Sequence, residues 1–186
     1  MPDNRKKGKG RRAYLNDFQT TVNGEYIYCG AYYSFAGKEK ERKLFQQKLI
    51  ALSACSVGCG VVSGCVPAPG TLNCFYVLLP YLGSLLSGVS LLWAAVRLAA
   101  GGGELREYVY HATVEQLPAR TALSMGFAGL SLLGELLYWM RSGAQGQGVG
   151  LAVFLAAQAL ALGCAVRIRR AGKTACWRRS DKEKTE

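Results

Sequence analysis

Glu135 is the only carboxylate inside the long apolar stretches of this 186-residue chain. A charged side chain at the centre of a bilayer costs about 3 kcal/mol, which makes an intramembrane carboxylate a functional candidate by default. Counting back from Met140 at about 1.5 Å per residue, the carboxyl lies roughly 7–8 Å inside the end of its stretch. Two roles fit that depth. The structural one is to snorkel outward or pair with Arg141; the functional one is to bind a proton or cation in an oligomer. Gln158, in the middle of the next apolar stretch, is the partner the sequence suggests. The short 141–148 connection makes the two stretches neighbours, and an interhelical hydrogen bond there would contribute about 0.6–2 kcal/mol.

The seven cysteines are the next candidates. Cys55 and Cys59 stand i, i+4 on one helix face, a spacing open to a soft metal. With no histidine near them, packing by small polarizable thiols is the better reading. Cys65 and Cys74 flank Pro67-Ala-Pro-Gly and could be joined by a disulfide if their Cβ atoms approach within about 4.5 Å. Membrane thiol oxidoreductases of the quinone-linked, disulfide-forming kind resemble this layout in span count alone, because their CxxC pair is absent. Val62-Ser-Gly-Cys65 is similar to a lipoprotein cleavage motif, but 64 residues precede the cysteine. His111, the sole histidine, reads as a polar residue of a surface helix. No Ser-His-Asp set, P-loop, dinucleotide fingerprint or zinc spacing is present. No enzyme activity, metal or cofactor is therefore expected.

Two further groups of residues suggest contacts rather than chemistry. Ser56, Gly60 and Gly64 form a small-residue face containing a GxxxG, which lets helix backbones approach closely in lipid. Tyr26, Tyr28, Tyr32 and Tyr33 crowd a short segment, as an aromatic collar at headgroup level or as a docking surface for a partner.

The elements that position these residues follow from hydropathy. Between Lys48 and Arg97 there are 48 consecutive uncharged residues, broken by Pro67-Ala-Pro-Gly. One span needs about 20 apolar residues, so this block is a helical hairpin across a membrane. Residues 121–140 and 149–168 repeat the arrangement. The expected fold is all-α: a four-helix transmembrane bundle with spans at 46–66, 75–98, 121–140 and 149–168, joined by turns at 67–74 and 141–148. A polybasic tail occupies 1–45. Within it, 18–35 reads as a Tyr-rich β-hairpin about Asn23-Gly24, extending to a three-stranded meander past Gly30. The segment 99–120 opens with Gly101-Gly-Gly103 and carries a short amphipathic helix stopped by Pro118. Residues 169–186 form a basic tail whose last dozen residues read as mobile.

Charge sets the orientation. Of 23 Lys and Arg, eleven lie from Arg5 to Lys48, three from Arg97 to Arg120, eight from Arg167 to Lys184, and only Arg141 falls elsewhere. The positive-inside rule then places both termini in the cytoplasm. The net charge of +11 reads as orientation and as attraction to anionic inner-leaflet headgroups, about 1 kcal/mol per residue, not as nucleic-acid binding. The residues lead first to a non-enzymatic accessory or scaffold subunit of a membrane complex, bound to a membrane or cytoplasmic partner or to itself. Second comes a small oligomeric transporter or channel subunit using Glu135 and Gln158, and third a thiol redox protein using Cys65 and Cys74. The style of the loops and tails is that of a bacterial inner-membrane protein. Small multidrug exporters share the four-span size, but their essential Glu lies in the first span, which here has none.

Overall fold

The computed structural model describes residues 18–20, 24, 26–28, 30–142 and 148–180. The polybasic run 1–13, most of the 141–148 turn and the end of the C-terminal tail lie outside them.

Four long helices dominate: α1 (Glu39–Cys65), α3 (Phe75–Ala100), α5 (Leu117–Ser142) and α6 (Gly148–Thr174). Each is long and apolar enough to cross a membrane. They pack as a ring in which α1 touches α3 and α6, and α5 touches α3 and α6. α1 begins where Lys38 N–H donates to Glu41 Oε2 at 3.3 Å, closing the first turn. α3 runs unbroken through Pro80. The Tyr76 carbonyl that Pro80 cannot bond faces Gly134, where an added Cβ would stand 3.3 Å from it.

The distribution of side chains inverts that of a water-soluble bundle. Small and polar residues face inward: Ser53, Ser56 and Ser63 on α1, Ser84 and Gly88 on α3, Ser124, Ser131 and Glu135 on α5, Gln158 on α6. Large apolar residues such as Leu79, Leu86, Trp93, Leu130, Leu133 and Leu160 face outward, each more than half exposed. An apolar surface of that extent is one a membrane would cover. In lipid there is no hydrophobic force between helices, so small inward residues serve by letting backbones approach.

At the end opposite the termini, the chain between α1 and α3 turns back onto the bundle. Ala68 is fully buried against Tyr81 and Phe154, and a five-residue helix α2 (Pro69–Asn73) packs on α5 and α3.

The termini end carries the β-structure. β1 (Phe18–Thr20) and β2 (Tyr26–Tyr28) pair antiparallel, with Phe18 opposite Tyr28, as the Asn-Gly signal suggests. Gly24 supplies the positive φ, 80°, that the turn needs. The expected meander is corrected beyond that point. β3 (Tyr32–Phe35) leaves the hairpin and sits centrally between β4 (Glu104–Arg106) and β5 (Trp177–Ser180), antiparallel to both. Two other expectations change with it. Residues 177–180 of the supposedly mobile tail are an ordered strand, fixed because Trp177 packs edge-on to Phe35 at 5.5 Å between centroids. The amphipathic helix of the middle segment is instead β4, one turn of α4 (Glu107–Tyr110) and a π-helical turn at His111–Glu115. Pro118 does not stop a helix; it falls in the first turn of α5, where a missing N–H costs nothing. Gly101 ends α3 as expected, followed by Gly102 at φ 69°. Arg120 clasps the region, donating to the Ser90 carbonyl at 3.0 Å and the Ala112 carbonyl at 3.1 Å.

Candidate functional site

α5 turns Glu135 inward, not out to Arg141, and buries it completely. Its Oε1 accepts the Gly70 N–H at 3.0 Å, and the Thr71 N–H points at the same carboxyl. These are first-turn amides of α2, which no carbonyl of that helix can reach. Glu135 thus caps a helix remote in sequence and holds the folded-back turn in place. Gly70 permits the approach: a Cβ there would lie 2.9 Å from the carboxyl carbon. Glu135 Oε2 has no partner.

Gln158 does not meet Glu135. It reaches across the ring to α3, where its Oε1 accepts from Ser84 Oγ at 3.4 Å. Its Nε2 is buried without a partner, as is Ser131 Oγ, one turn from Glu135 on the same face of α5. Ser131 and Gln158 are roughly level, eleven and ten residues in from the ends of their helices. Ser131 was not a candidate from the sequence. Its place four residues before the one buried carboxylate was the signal available.

Ser56 and Gly60 of the small-residue face of α1 pack inside the bundle, while Gly64 is exposed beside Tyr81. Tyr81 Oη donates to the Gly60 carbonyl at 3.0 Å. A Cβ on Gly60 would stand 2.8 Å from Leu85, and one on Gly64 would stand 3.2 Å from the Tyr81 ring. Ser56 is buried where α1 crosses Gly88.

Cys65 and Cys74, the pair open to a disulfide, stand here as free thiols. α2 stands between them and draws the turn inward, leaving Cys65 exposed at the end of α1 and Cys74 in contact with Tyr76. Cys55 and Cys59 are joined by Cys164 of α6, whose thiol is in hydrogen-bonding contact with Cys55. Spacing could not reveal this third thiol. Among the described residues, no three His, Cys, Asp or Glu side chains are placed to hold a metal ion.

The tyrosines divide. Tyr33 is committed to the fold, stacked on Tyr110 at 4.0 Å between centroids and 4° between planes. Tyr32 is half-buried in the same strand. Tyr26 and Tyr28 belong to β2, with side chains outside the described residues. Trp177 meets both Phe35 and Tyr110, so strands 32–35 and 177–180 and helix α4 share one aromatic cluster. His111 lies between Glu107, at 3.6 Å, and Glu115, which is in direct contact.

No protein-family model, no curated protein and no solved structure matches this chain.

Proposed function

We propose that the protein is a non-enzymatic accessory or scaffold subunit of a membrane complex, with both termini in the cytoplasm and the β4-β3-β5 sheet as its docking platform. The observation that carries this reading is the convergence of three segments distant in sequence on one small sheet at the basic end of the bundle. β4 and β5 are its outer strands among the described residues, and an outer strand is where a partner's backbone can add on. Arg178 and Arg179 on β5 are exposed and favour an acidic partner surface or anionic headgroups. The test is a photo-crosslinking residue at Arg178 in intact membranes, with a control at outward-facing Leu79. One different protein captured at fixed stoichiometry from position 178 alone supports the reading. Capture of lipid only, or of this chain only, from both positions sinks it.

One observation favours the second reading, a small oligomeric transporter or channel subunit. Glu135, Ser131 and Gln158 each keep a buried polar atom without a partner, and unsatisfied groups of that kind in an apolar interior mark places where an ion or proton is handled. Ion flux into vesicles that survives Glu135→Gln unchanged would remove this reading.

A further inference from the structure

We infer that Glu135 is the anionic ligand of a buried site for a small monovalent cation, sodium or lithium, completed by Ser131 and Gln158. The inference deepens the second reading above and rests on it. Its first ground is an unbalanced charge. The carboxyl is fully buried: Oε1 accepts the Gly70 N–H, the Thr71 N–H points at the same group, and Oε2 makes no hydrogen bond of full geometry. The elements around it offer no protein cation: α2 contains none, and α1, α3 and α6 carry none from Leu49 to Cys65, Phe75 to Val96 and Gly148 to Val166. Arg141, on the same helix, is exposed at its end. A buried carboxyl stays ionised only when it is paired or coordinates a cation, and is otherwise protonated.

The second ground is the donor set. Five buried side-chain atoms among the described residues lack a partner, and three of them are Glu135 Oε2, Ser131 Oγ and Gln158 Nε2. Rotating the Gln158 amide by half a turn, which exchanges its nitrogen and oxygen, lets Nε2 donate to Ser84 Oγ and frees the amide oxygen. The free atoms are then a carboxylate, a hydroxyl and an amide oxygen. These are hard oxygen ligands, suited to hard cations over soft transition metals. A single carboxylate matches a single positive charge, so the filled site is neutral in its low-dielectric surroundings. Gly70 leaves the carboxyl the room that a Cβ would fill.

The test uses the full chain in phosphatidylcholine–phosphatidylglycerol vesicles, with sodium, lithium or choline chloride at matched ionic strength. Glu135 is titrated with dicyclohexylcarbodiimide and its modification read by mass spectrometry. Thermal unfolding is followed in the same salts. Sodium or lithium should slow modification of Glu135 about tenfold at about ten times its Kd and raise the melting temperature over choline. Ser131→Ala should weaken the protection, and Glu135→Gln should abolish the salt-dependent shift in melting. Equal melting in all salts, with labelling equal in all or absent, overturns the site. Protection without radiosodium flux keeps the site and removes the transporter reading; flux without protection does the reverse.

Discussion

Glu135 was conspicuous in the sequence because a lone carboxylate in an apolar stretch demands an explanation. Its partner was not legible there. Gly70 lies 65 residues away and has no side chain to advertise a contact, and only the folded-back turn brings it to α5. Gln158 was legible as a polar residue among Ala and Leu, but its bond to Ser84 crosses the ring, where sequence proximity favoured Glu135. Two outcomes follow for the carboxyl. Glu135→Gln keeps an oxygen for the Gly70 N–H and should unfold close to wild type in choline. Glu135→Leu strands that amide and should cost about 1–3 kcal/mol in denaturant titrations in detergent. Gly70→Ala overpacks the same spot and should cost about 1–3 kcal/mol by the same measurement. If all three match wild type, the carboxyl does not hold the turn.

The helices were readable because hydropathy and helical pitch are local properties. The Gly stop after α3 and the hairpin at Gly24 stand where the residues placed them. The β4-β3-β5 sheet was not readable. Its strands are three or four residues long and come from positions 32, 104 and 177, with pairing set by tertiary packing and not by periodicity. Tyr33 on Tyr110 and Trp177 on Phe35 supply that packing. Trp177→Ala should therefore release β5. Amide hydrogen exchange should rise at 177–180 and 32–35 while the centres of α3 and α6 stay protected; unchanged exchange in the strands would mean the aromatic cluster does not hold the sheet. At the α1–α3 seam, Gly60→Val has no room beside Leu85. It should cost about 1–3 kcal/mol in the same unfolding measurement, whereas Gly58→Val, with open space around it, should change little.

At the scale of the whole molecule, the two ends of the bundle are built differently. The basic end gathers the chain into the β4-β3-β5 sheet, and the opposite end folds a turn over a buried carboxylate. The charge count predicts which end faces the cytoplasm, because only Arg141 of the 23 Lys and Arg belongs to the 67–74 and 141–148 turns. The native cysteines report this directly: Cys65 and Cys176 are exposed at opposite ends of the bundle. The decisive measurement is labelling of intact cells with a membrane-impermeant maleimide, before and after permeabilisation, read peptide by peptide. A cytoplasmic sheet requires modification of Cys65 in intact cells and of Cys176 only once the membrane is opened. Modification of Cys176 in intact cells would contradict it, placing the sheet outside and out of reach of a cytoplasmic partner.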